Sequence, residues 1–140
     1  MQLVIPRETQ PGENRVSATP ETVKKLVRLG ADVVIEAGAG TGAGISDADY
    51  EAAGASIGSD RGALLAGADM VLRLRKPDIE EISQLKSGCI HVSYLDPFNE
   101  KALIREFASR NVTAVSMEMI PRSTRRYASL ACGIVGSTRF

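Results

Sequence analysis

The stretch TPETVKKLVRLGADVVIE, Thr19 to Glu36, contains a whole helix, a turn and a strand. Thr19 is a good N-cap, Pro20 suits the first helical position, and Glu21 faces the positive end of the helix dipole. Val23, Leu26 and Val27 follow at helical spacing, and Gly30 is placed to end the helix in a left-handed conformation. Asp32-Val33-Val34-Ile35-Glu36 then reads as a strand.

The same order of elements extends in both directions. Upstream, Leu3-Val4-Ile5 is a first strand closed by Pro6, followed by a polar loop from Arg7 to Ala18. Downstream, Ser46-Asp47-Ala48-Asp49 opens a short helix through Tyr50 and Ala53 that Gly54 closes. An alanine-leucine turn of helix precedes the strand Ala68 to Leu74. Asp78-Ile79-Glu80-Glu81 resembles a capping box, with Ile82 and Leu85 on the buried face and Gly88 past the end. Cys89 to Tyr94 is the next strand. Asn99 is expected to cap a longer helix with Leu103, Ile104 and Phe107 as its apolar stripe, ending near Asn111. Val112 to Met117 is the last strand. Strands alternating with capped helices imply right-handed βαβ units and a mainly parallel sheet covered on both faces. The nearly continuous apolar strands fit burial on both sides.

Composition narrows the function classes. The 140 residues fit one domain, and 44% apolar with 24% charged residues is ordinary for a globular chain. Equal numbers of basic and acidic residues, 17 each, argue against a nucleic-acid domain. Cys89 and Cys132 have no metal or disulfide-framework spacing and read as reduced thiols. No secretory signal opens the chain, and the longest uncharged run, Tyr127 to Thr138, is too short to cross a bilayer. The expectation is a cytoplasmic domain without direct membrane insertion.

Several residue groups could carry chemistry. Gly38-x-Gly40-x-x-Ala43 formally matches a dinucleotide fingerprint. It follows the second strand, however, precedes a helix of barely two turns, and lacks an acidic residue at the ribose position about 20 residues on. A glycine turn is the better reading. Arg15 lies in the loop after the first strand, at the ligand edge of an open α/β sheet. It fits two roles, a clamp on a carboxylate or phosphate or a surface arginine paired with Glu13 or Glu21. Arg73 and Arg75 alternate along a strand, with Arg75 nearest its carboxyl end, where it could meet an anion or simply snorkel. Glu118, just after the last strand, is another candidate at the crevice edge. His91, the only histidine, sits in an apolar strand and reads as a core residue rather than a base. No serine nucleophile elbow, metal cluster or Walker loop is visible, and no catalytic residue is assigned.

Four blocks together resemble the alanine dehydrogenase and transhydrogenase α-subunit family: IPRETQPGENRVSATPETVKKL (Ile5 to Leu26), EAGAGTGAGISDADYEAAGA (Glu36 to Ala55), ADMVLRLRKP (Ala68 to Pro77) and SMEMIPRSTR (Ser116 to Arg125). The resemblance implies a Rossmann-like, flavodoxin-like three-layer α-β-α domain on the substrate side, with a glycine-fingerprint NAD domain following it. It also implies that Gly38 to Gly44 is structural. Alanine dehydrogenases of the family use an arginine matching Arg15, a lysine where this chain has Arg75, and a histidine where it has Leu95-Asp96-Pro97. The transhydrogenase branch fits better. There the subunit binds NAD(H) and passes hydride to NADP on a partner subunit, coupled to proton translocation through a membrane part.

On that resemblance Arg122, Ser123, Thr124 and Arg125 are the expected NAD contacts, with Arg15, Arg75 and Glu118 lining the substrate crevice. The family's loop then carries a glutamine and an aspartate where this chain has Tyr127 and Leu130. The domain is therefore drawn at residues 1–125, with 126–140 a divergent tail from a shortened inter-domain helix. A truncated reading frame and a stand-alone domain both fit. Expected partners are the missing NAD-binding half and other transhydrogenase subunits, through which the chain would sit peripherally at the inner membrane. Leu130, Ile134 and Val135 on the tail suggest folding back over the sheet or docking in a homodimer. An alanine dehydrogenase-like enzyme and an inactive interaction domain are the alternative functions.

Overall fold

In the computed structural model, residues 1–120 are described. They form six strands, β1 Gln2–Ile5, β2 Asp32–Glu36, β3 Ser56–Gly58, β4 Met70–Arg75, β5 Ile90–Tyr94 and β6 Thr113–Ser116. Five helices connect them, α1 Pro20–Arg28, α2 Asp47–Ala52, α3 Arg61–Gly67, α4 Ile79–Ile82 and α5 Lys101–Ser109. All strand pairs are parallel, in the order β3-β2-β1-β4-β5-β6. This is the doubly wound Rossmann order rather than the flavodoxin order, and its direction reverses between β1 and β4.

Local chemistry explains most element ends. The Thr19 hydroxyl accepts the Thr22 amide, and Gly30 turns at φ 89. Ser46 and Asp49 form a reciprocal capping box that starts α2, and Gly54 follows the helix at φ 96. Two expectations change. Glu100, not Asn99, occupies the N-cap position of α5, because the Asn99 amide donates to the Asp96 carboxylate at 2.9 and 3.0 Å. The short edge strand β3 was not legible in sequence, since one apolar residue between Ser56 and Gly58 sets no period.

Period 2 divides each central strand between two cores. Leu3, Ile5, Val33, Ile35, Leu72 and Val92 pack with Val23 of α1 and Tyr50 of α2. Val4, Val34 and Val71 pack with Leu65 of α3, Ile82 of α4, and Leu103 and Phe107 of α5. Neither face of the sheet is left to water, which is why its strands carry unbroken apolar runs. The Tyr50 hydroxyl, fully buried, donates to the Ala18 carbonyl at 2.8 Å and so ties α2 to the loop after β1. Burial, then the nearby Asp47 and Asp49 charges, pushes its phenol up to about 12.

Tyr50→Phe strands the Ala18 carbonyl without its partner. Urea unfolding is expected to show a loss of about 1–3 kcal/mol; an unchanged midpoint would mean that water replaces the hydroxyl.

Candidate functional site

The carboxyl ends of β1, β4, β5 and β6, with the loop after β2, form one edge of the sheet, where an open α/β fold places its ligand crevice. The loop after β1 dominates this edge. Gln10-Pro11-Gly12-Glu13 makes a turn in which the Glu13 amide donates to the Gln10 carbonyl at 3.1 Å and Gly12 takes φ 80. Proline followed by a left-handed glycine suits a type II turn. The turn brings Glu13 back over the sheet edge, with its side chain only 4% exposed.

Two cations meet that carboxylate. Arg15 donates from Nε to Oε1 and from Nη2 to Oε2, both at 2.7 Å, in fork geometry. Arg75, from the end of β4, donates from Nε to Oε2 at 2.8 Å. Bonding from Arg15 outweighs burial, and with Arg75 it holds the Glu13 carboxyl at about 2. Of the two readings of Arg15, the pairing with Glu13 is the one observed, and the pair lines a cavity at this edge.

Two cavities flank this triad. One of about 250 Å³ is lined by Arg7, Glu8, Glu13, Asn14 and Arg15 with the glycine loop. The other, about 310 Å³, is lined by Gln10, Arg75, Lys76, Tyr94, Asp96 and Glu118. Arg75 and Glu118 therefore share a cavity, and the Glu13–Arg75 bond links its wall to that of its neighbour. Glu118 also has a local task, accepting the amides of Leu95 (3.3 Å) and Asp96 and so fixing the loop after β5. Lys76 is paired with Glu100. Arg122, Ser123, Thr124 and Arg125, like the tail residues Leu130, Ile134 and Val135, lie outside the described residues.

The glycine loop is built for packing. The Gly38 amide donates to both Asp47 carboxylate oxygens, at 3.0 and 3.2 Å, so an internal acid takes the place a phosphate would need. A Cβ on Gly40 would lie 2.8 Å from the Ile45 carbonyl and the Tyr50 ring, and one on Gly42 would lie 3.0 Å from the Asn14 backbone. These glycines let two loops touch.

Arg73 and Arg75 part company because the β4–β5 register shifts between Leu72 and Arg75. Arg73, 2% exposed, donates to Glu81 at 2.8 Å and approaches Glu8 at 4.0 Å, while Arg75 goes to Glu13. Sequence reasoning missed Glu8, whose carboxylate accepts the amides of Leu74 (2.6 Å) and Arg75 (3.2 Å). Its only signal was its place in the polar loop. His91 is 1% exposed, its ring 5.0 Å from that of Phe107. Burial, then Arg73, lowers it to about 3, so it is a neutral core residue and cannot act at the edge. Among the described residues there is no acidic, histidine or cysteine group that could hold a metal, and no helix long and apolar enough to cross a membrane.

Residues 4–133 match the family model "Alanine dehydrogenase/PNT, N-terminal domain". The first part of the NAD(P) transhydrogenase alpha subunit of Rhodospirillum rubrum is 38% identical over 130 residues, covering 89% of this chain and 34% of that protein. Alanine dehydrogenase of Halomonas elongata is 37% identical over 120 residues, 86% of this chain and 32% of the relative. The crystal structure of transhydrogenase from Sinorhizobium meliloti superposes with a TM-score of 0.84 at 42% identity, covering 89% of this chain and 37% of that one. The chain thus spans about a third of the length of these curated relatives.

Two outcomes follow for stability. Gly40→Ala forces a methyl against backbone and is expected to cost about 1–3 kcal/mol in urea unfolding; a neutral result would show that the loop is slack. For His91, the folded value near 3 lies below the unfolded value near 6.5, so the unfolded chain takes the proton first. Stability therefore falls as pH drops below about 6.5, by at most about 1.4 kcal/mol per pH unit from this group. His91→Leu should flatten that slope in unfolding series between pH 7 and pH 4; an unaltered slope would place the acid sensitivity elsewhere.

Proposed function

The chain belongs to the alanine dehydrogenase/PNT N-terminal domain family, and from that premise we propose that it forms one wall of an NAD(H) cleft in a transhydrogenase-type subunit. Hydride would pass between this NAD(H) and NADP(H) held by a partner subunit, coupled to proton translocation in a separate membrane part. The observation that carries the reading is the convergence of Arg15 and Arg75, with the cavity that Arg75 shares with Glu118, on the carboxyl edge beside the β1/β4 reversal.

The residues present fit one side of such a cofactor. Cationic groups and the partly exposed Tyr94 line the crevice, while the Gly38 amide, already held by Asp47, provides no pyrophosphate cradle. The pyrophosphate would be held by an NAD-binding half, the first partner of this domain. The bound dinucleotide supplies the hydride chemistry, and this chain's contribution is orientation and exclusion of water. Arg122, Ser123, Thr124 and Arg125 would contact the cofactor, and Arg15, Arg75 and Glu118 would border the reacting end. Other transhydrogenase subunits would hold the assembly, with this domain at the cytoplasmic face of the membrane and paired in a homodimer. We place the domain at residues 1–125, with 126–140 a divergent tail.

One observation favours a second reading, an amino acid dehydrogenase. Arg15 and Arg75 together grip a carboxylate, here that of Glu13, as they would grip an amino acid. Against it, the position after β5 holds Leu95-Asp96-Pro97 and His91 is sealed in the core.

Calorimetry with NADH on the whole chain tests the proposal against an inert interaction domain. For one wall without the NAD-binding half a Kd of about a millimolar is expected, weakened about tenfold, or about 1.4 kcal/mol, by Arg75→Ala. Absence of heat at about ten times that NADH concentration overturns it, and saturation that depends on alanine or pyruvate favours the second reading.

A further inference from the structure

Glu13 is anomalous for a loop acid. Its neighbours Gly12 and Asn14 are exposed, yet its own side chain is 4% exposed and three guanidinium nitrogens point at its two oxygens. The other acids nearby are already engaged: Glu8 with the amides of Leu74 and Arg75, Glu118 with those of Leu95 and Asp96, Glu100 with Lys76. Glu13 alone answers both crevice arginines.

The triad is also a partition. Glu13 and Arg15 belong to the wall of one cavity and Arg75 to that of the other. At about 250 and 310 Å³, each cavity lies at or below the lower end of ligand-sized pockets, roughly 300–1,000 Å³. The Glu13–Arg75 bond thus stands between the glycine-loop cavity and the one that holds Glu118. The Pro11-Gly12 turn that carries Glu13 is open to its surroundings, since a Cβ built at Gly12 would meet nothing within 4 Å.

We propose that Glu13 is an internal competitor, its carboxylate occupying the cradle of Arg15 and Arg75 until the carboxylate of a ligand displaces it and opens the partition. The inference rests on the reading of this edge as the ligand crevice; its new element is the displaceable acid. Displacement exchanges one charge-assisted carboxylate pair for another, so neither guanidinium is left unpaired at any stage. An apolar or cationic ligand receives no such compensation. The device therefore selects for an anion of carboxylate shape and keeps the two cations from scavenging passing anions weakly.

The test is titration of the whole chain with sodium acetate, followed by NMR of the Arg15 and Arg75 Nε–H groups and the Glu13 carboxyl carbon. In the unmodified chain the three signals should move with one midpoint. Glu13→Gln should lower that midpoint at least tenfold for the two arginines, and adding Arg75→Ala should abolish the gain. A Glu13 signal that stays fixed while the arginines respond, or equal midpoints in both chains, overturns the proposal. Inorganic phosphate serves as the comparison anion, and tighter binding of phosphate than of acetate in Glu13→Gln overturns the carboxylate preference. NADH calorimetry separates the two ideas. NADH binding with no gain in Glu13→Gln removes the competitor and leaves the cleft, whereas a gain without NADH binding does the reverse.

Discussion

Arg73 is a guanidinium in the interior of a sheet, and the geometry of the whole carboxyl edge follows from neutralising it. An unpaired charge at 2% exposure would be too costly for a domain of this size to keep. Glu81 answers it at 2.8 Å from the first turn of α4. Arg61, from the start of α3, bridges Glu81 at 2.5 Å and Glu36 at 2.6 Å. Burial alone would raise the Glu81 carboxyl, yet Arg73 and Arg61 hold it below its usual value. Glu36, ending β2, also accepts the Arg7 amide at 2.8 Å, and Arg61 donates to the Arg7 carbonyl at 3.0 Å. One chain of charges thus joins the ends of β1, β2 and β4 to the starts of α3 and α4.

That chain decides what the loop after β1 can do. Arg7 is held at its root, and Glu8 is pinned to the last amides of β4. Farther on, the Leu72 carbonyl accepts the Ser17 hydroxyl at 2.9 Å and the Ala18 carbonyl accepts that of Tyr50. Between these fixed ends stands the turn around Pro11 and Gly12, with Glu13 held by Arg15 and Arg75. A rigid frame that holds a loop over the sheet edge is the usual division of labour between a scaffold and its binding loops. Gly42 completes the frame, because only a glycine lets the loop after β2 approach Asn14 so closely.

Much of this is legible in the sequence. Thr19, Pro20 and Gly30 mark α1, Ser46 and Gly54 mark α2, and each mark works because capping is settled within three or four residues. The apolar runs of β1, β2, β4 and β5 show a sheet covered on both faces. The glycine loop reads correctly as structural, although its reason, Asp47 capping the Gly38 amide, is hidden until α2 is placed. Asn99 misleads because Asp96, turning at φ 50, offers its side chain a nearer partner than the helix end.

What the sequence determined by itself is the class of fold, its alternating elements and its family, since these rest on local caps, on side-chain period and on blocks of contiguous residues. Which charges meet was decided only by the tertiary structure. Glu13 and Arg75 stand 62 positions apart, Arg7 and Glu36 29, Arg61 and Glu81 20. No spacing rule links them. They are neighbours because β4 crosses the sheet to lie beside β1, and because a register shift after Leu72 sends Arg75 outward while Arg73 stays buried. Strand order and register are properties of the assembled sheet, and the crevice is made of what they bring together.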